Sequence, residues 1–84
     1  MTIRNKQPQD RLEHIARLAG LPPGAVFSTG DAAAYWGIAV STWERMRAAG
    51  ETPPAIRLTG RTLGYRKGDI DAGLEARTEQ RGAA

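Results

Sequence analysis

The sequence predicts a small, mostly helical fold with one β-hairpin, ordered helix, helix, tight turn, helix, hairpin, helix. Three observations predict it. Capping signals open short stretches with apolar residues at helical spacing, as in "DRLEHIARLAG" and "STGDAAAYWG". Gly20, Gly37 and Gly50, with the pairs Pro22-Pro23 and Pro53-Pro54, close those stretches early. Two short β runs flank the turn Thr59-Gly60-Arg61.

The totals agree. A chain of 84 residues forms one domain at most, with a modest core and no room for a large catalytic cleft. A hydrophobic share of 40% with 25% charged residues is globular rather than disordered, and ten glycines with five prolines imply short elements.

In chain order, residues 1–9 read as a polar, disordered arm. A helix is predicted from Asp10 to Ala19, opened by Asp10 with Glu13 and carrying the apolar stripe Leu12, Ile15, Ala16 and Ala19. With the linker that follows it occupies residues 10–27. Ser28 with Asp31 caps a second helix over Thr29–Trp36, and Gly37 supplies its left-handed exit. A third helix covers Val40–Ala49. Ala39 stands where a capping oxygen is wanted, while Ser41 with Glu44 offers a competing start. So short a link between these two helices makes them cross steeply, as in a helix-turn-helix. The hairpin pairs Ile56–Leu58 with Leu63–Tyr65. Gly68 then caps a last helix over Asp69–Thr78, with Asp69 and Asp71 favoured in its first turn by the helix dipole and Ile70 and Leu74 as its buried pair. Residues 28–78 thus form the main domain, and 79–84 a disordered tail.

Trp36, Ile38, Trp43 and Met46 are the expected core, since a domain this small must bury its large apolar side chains. Tyr65 joins them with its hydroxyl at the surface. His14, the single histidine, reads as a surface residue without a second ligand at metal spacing.

Charge is where function shows. Between Ser41 and Lys67 stand Arg45, Arg47, Arg57, Arg61, Arg66 and Lys67 against only Glu44 and Glu51; elsewhere six basic residues face seven acids. Such clustering attracts a polyanion at long range and gains from counterion release. Trp43 and Met46 face inward on the third helix and Arg45 projects oppositely, whereas Arg47 lies about 40° from Trp43 at the edge of the core. The absence of cysteine removes disulfides, thiolate metal sites and a cysteine nucleophile, and fits a reducing compartment. No Ser/His/Asp set, phosphate loop or metal cluster is present, so neither enzymatic activity nor a cofactor is expected. No apolar run reaches the roughly 18 residues of a membrane span, and a soluble cytoplasmic protein is expected. Richness in alanine, glycine and arginine points to a bacterial genome of high GC content.

The third helix followed by a basic hairpin is the layout of a winged helix-turn-helix, in which a recognition helix enters the DNA major groove and the wing reaches the backbone. Here the sequence resembles the small excisionase and AlpA-like regulators, relatives of the MerR-type winged helix. The resemblance rests on Asp31-Ala32, Gly37-Ile38, Thr42-Trp43-Glu44-Arg45, Gly50 to Pro54, Gly60-Arg61 and Tyr65-Arg66-Lys67-Gly68-Asp69. It implies a double-stranded DNA-binding protein that occupies repeated sites, self-associates on DNA and steers a tyrosine recombinase toward excision of a mobile element. Ser41, Thr42, Arg45 and Arg47 would lie on the recognition helix, Arg61 at the wing tip, and Arg57, Arg66 and Lys67 at backbone phosphates. The alternatives are a transcriptional regulator of such an element and a protein-interaction module on the same scaffold. Three departures stand out: Ala39 for the usual serine cap; Ala48, where relatives carry a further basic residue; and Gly73 for the usual tryptophan of the last helix, paired with Trp36 for a leucine. Trp36 is expected to fill the space that Gly73 leaves. The first helix lies outside the resemblance and serves either to cover the core or to touch a neighbouring protomer.

Overall fold

The computed structural model describes residues 8–79, with side chains from Asp10 onward. The elements run α1 (Pro8–Ala19), β1 (Val26–Ser28), α2 (Thr29–Trp36), α3 (Val40–Ala48), β2 (Ile56–Arg57), β3 (Leu63–Arg66) and α4 (Lys67–Arg77). The strands form an antiparallel sheet in the order β1-β3-β2. The domain is therefore mixed α/β, with four helices and three strands among the described residues, rather than helical with a lone hairpin. The arm expected over residues 1–9 is helical from Pro8, because proline is tolerated in a first turn whose amides have no intrahelical partner. Residues 1–7 of that arm, and 80–84 of the expected tail, lie outside the described residues.

The strand β1 departs most from expectation. Three residues are too few to show a period, and Val26-Phe27-Ser28 alternate exposed, buried, exposed only once paired with Arg66, Tyr65 and Gly64. The loop before β1 also moves the start of α4. The amide of Lys67 donates to the carbonyl of Ala25 (2.8 Å) and that of Gly68 to Pro23 (2.9 Å). These acceptors satisfy first-turn amides that a side-chain cap would otherwise serve. The helix accordingly begins at Lys67 behind Arg66, not at Asp69 behind Gly68.

The short helices follow their local signals. Ser28 Oγ accepts the Asp31 amide at 3.1 Å. At the other end of α2, Gly37 adopts φ 77°, where a β-carbon is strained, and the amides of Gly37 and Ile38 reach back to Ala34 and Ala33. Ala39 precedes α3 without a side-chain cap, as its residue type requires.

The core consists of Leu18, Phe27, Ala32, Ala33, Trp43, Tyr65 and Ile70. Trp43 is fully buried at its centre, edge-on to Trp36 (4.9 Å between centroids) and to Tyr65 (5.0 Å), so α2, α3 and β3 meet through aromatic rings. Trp36, Ile38 and Met46 are half-buried rather than central. Tyr65 buries its hydroxyl, contrary to expectation, and among the described residues neither this oxygen nor Trp43 Nε1 has a hydrogen-bond partner.

The face that α1 buries also differs from the expected stripe. Leu12 is 65% exposed, and Ala16 and Ala19 are exposed too, whereas Leu18 is buried and Ile15 half-buried. His14 is not a bystander: Nε2 lies 2.9 Å from Asp31 Oδ1 and ties α1 to α2. This helix covers the core through Leu18 and adds a polar clasp.

Trp36 packs against Gly73. A β-carbon at Gly73 would come within 2.8 Å of Trp36 Cζ2 and 3.2 Å of Pro53 Cγ. The indole Nε1 donates to the Ile70 carbonyl at 3.1 Å, and the Arg77 guanidinium stands 5.1 Å from the ring centroid. Trp36→Leu is expected to destabilise the fold by about 1–3 kcal/mol through lost packing and the lost indole hydrogen bond to Ile70. Chemical denaturation checks this; an unchanged midpoint would show that leucine fills the space as well.

Candidate nucleic-acid interface

The candidate interface comprises α3 and the β2–β3 turn. Helical geometry places Ser41, Arg45 and Ala48 on one row, at i, i+4 and i+7, and Trp43 on the opposite side. With Trp43 anchored in the core, Ser41, Arg45 and Ala48 are all exposed. Thr42 is half-buried on one flank of this row. Arg47 lies on the other flank, exposed, with Nε 3.1 Å from Glu44 Oε1. That i,i+3 pair is solvent-facing and worth little to stability, but it gives Arg47 a carboxylate partner that Arg45 lacks among the described residues.

The turn presents the remaining cations in an ordered frame. Thr59 Oγ1 accepts the amides of Arg61 (3.3 Å) and Thr62 (3.1 Å), and the Leu58 amide donates to the Thr62 carbonyl at 2.8 Å. Local hydrogen bonds of this kind hold a loop without a core of its own. Arg57 Nη1 donates to the Gly60 carbonyl at 3.2 Å, laying its side chain along the turn. Arg61 at the tip and Arg66 at the end of β3 are exposed and have no side-chain partner among the described residues.

Lys67 corrects the expectation. Only 9% exposed, it sits at the start of α4 with Nζ 2.8 Å from Asp71 Oδ2, while Tyr35 donates its hydroxyl to Asp71 Oδ1 at 2.9 Å. Its ammonium is thus committed within α4 to Asp71, and it is Asp71 that joins α4 to α2 through Tyr35. The Lys67 hydrogen bond, with help from Tyr35, holds the Asp71 carboxyl below its ordinary range. The same bond raises Lys67 against the opposing effect of its burial. Burial, then the Asp71 hydrogen bond, raises the Tyr35 phenol.

These directions set a pH dependence. A depressed carboxyl contributes stability above its unfolded value and loses it as pH falls through and below about 4. The raised lysine and phenol contribute below about pH 10 and lose it above. The stability gap between the wild type and Asp71→Asn is therefore expected to be widest near neutrality and to close toward either extreme. Thermal melting across pH checks this; a gap independent of pH would mean that Asp71 acts without its charge.

Arg77, not counted among the site residues from sequence, positions the interface from behind. Its Nη2 donates to the Glu51 carbonyl at 2.6 Å, fixing the chain where it leaves α3. Its spacing of four residues from Gly73, the gap that Trp36 covers, is the signal that could have found it.

Among the described residues no group of three or more His, Cys, Asp or Glu could hold a metal ion, and no helix is long and apolar enough to cross a membrane. The arrangement offers guanidinium groups, the hydroxyls of Ser41 and Thr42 and an exposed turn, which suit a polyanion. In comparisons with known proteins, the sequence matches no family model and no curated protein.

Proposed function

We propose that this chain is a winged helix-turn-helix protein that binds double-stranded DNA, with α3 as recognition helix and the β2–β3 turn as wing. Its role is that of an excisionase, a recombination directionality factor that occupies repeated sites beside a mobile element and promotes excision by a tyrosine recombinase. The observation that carries the reading is Arg45: exposed, without a carboxylate partner among the described residues, in line with Ser41 on a helix anchored by Trp43, and accompanied by a turn whose tip carries Arg61. Arg45, Arg57, Arg61 and Arg66 supply the phosphate or base contacts, Ser41 and Thr42 add hydrogen-bonding hydroxyls, and Arg47 contributes after release from Glu44. The bacterial cytoplasm is the compartment this role implies.

Selection of bound duplexes from a random pool at moderate salt tests the reading. Enrichment of short, evenly spaced direct repeats is the expected result, since head-to-tail copies space their sites regularly. A lone or inverted motif would favour the transcriptional regulator, and no enrichment would leave the scaffold to a protein partner.

A further inference from the structure

The row that α1 turns toward α2 contains Arg11, His14 and Leu18, at i, i+3 and i+7. Leu18 enters the core and His14 binds Asp31, yet Arg11 has no hydrogen bond or ion pair among the described residues. It lines an open cleft of about 390 Å³ together with Ala34, Gly37, Ile38 and Ala39. None of those four has a side chain that can accept a hydrogen bond, and no hydrogen bond or ion pair engages the guanidinium among the described residues. Asp31 is held by His14, and Glu13 lies about 160° around the helix from Arg11. The cleft wall runs through Gly37, Ile38 and Ala39 directly into α3 at Val40.

We propose that Arg11 is a DNA-backbone contact, binding a phosphate of the duplex on which α3 docks and extending the interface onto α1. The inference rests on the DNA-binding reading and adds a residue that charge clustering along the chain did not mark. Charge complementarity selects the occupant: a lone planar cation beside the recognition helix suits a phosphodiester oxygen and offers nothing to an apolar peptide. Arg11 is a contact that places the protein on the backbone and reads no base. The His14–Asp31 clasp and buried Leu18 hold it there, which gives α1 a role beyond covering the core.

The test measures binding of a fluorescently labelled random-sequence duplex against salt for the wild type, Arg11→Gln and Arg11→Lys. One lost phosphate contact lowers the slope of log affinity against log salt by about 0.9, and weakens binding roughly eightfold at about 0.1 M salt. Arg11→Lys, which keeps the charge, is expected to restore most of the slope. Arg11→Gln is expected to melt at the wild-type temperature, because the side chain is exposed. A wild-type slope in Arg11→Gln overturns the proposal and leaves DNA binding standing. A lowered melting temperature that the lysine variant does not restore overturns it in favour of a purely structural role. A wild type that binds no duplex at any salt overturns the DNA-binding reading itself.

Discussion

Arg45→Ala is expected to weaken binding to selected DNA by roughly 5- to 150-fold, the effect of about 1–3 kcal/mol for one well-formed base contact. Its base preference should flatten at the same time. Trp43 is buried at the centre of the core, which turns Arg45 outward on a rigid support. No carboxylate among the described residues competes for its guanidinium, so the group is available at no cost in lost pairing. Because it is exposed, the alanine variant should melt with the wild type, and the change in affinity is then not a change in folding. Titration at several salt concentrations separates two roles for this residue. Loss of preference with little change in slope marks a base contact, whereas uniform weakening with a smaller slope marks a phosphate contact. Equal affinity, slope and preference in the two proteins would remove α3 from the interface.

Trp43→Ala should unfold the domain or bring it close to unfolding. Replacing a buried tryptophan by alanine costs about 3–5 kcal/mol, and a chain of this length holds only about 4–12 kcal/mol in total. The loss falls where Trp36 and Tyr65 both rest their rings, so the cavity opens between α2, α3 and β3 together. Trp43→Phe offers the contrast. It keeps an aromatic ring in the cluster and removes a buried indole N–H that has no partner among the described residues, so it should cost much less than the alanine change. Thermal denaturation by circular dichroism distinguishes them; a folded and stable Trp43→Ala would mean that α3 is held chiefly by its ends.

The interface was legible on the helix and less so beyond it. The outward direction of Arg45 follows from its two-residue offset from Trp43, and the exposure of Arg61 from its place in a turn. The Arg47–Glu44 pair was also readable, since i,i+3 neighbours meet on any helix. Burial of Lys67 was not readable. It depends on α4 beginning at this residue and on Asp71 also receiving the Tyr35 hydroxyl from 36 positions away. Arg11 escaped notice for a similar reason: which face of α1 meets α2 is not set by hydrophobic spacing alone when Leu12, Ala16 and Ala19 compete with Ile15 and Leu18.

The sequence alone determined the features whose causes are local. Ser28 and Asp31 stand three residues apart and cap α2 wherever that helix is placed, Gly37 tolerates the left-handed exit, and Pro53-Pro54 bars continuation of α3. Only the tertiary structure decided β1, the start of α4, the polar clasp between His14 and Asp31, and the placing of Lys67. Each of these depends on groups distant along the chain. A three-residue strand needs β3 to supply its hydrogen bonds, α4 needs the Pro23 and Ala25 carbonyls for its first amides, and Lys67 needs that start together with an Asp71 also held by Tyr35. A partner that is reached only when the chain closes on itself leaves no periodic mark in the sequence.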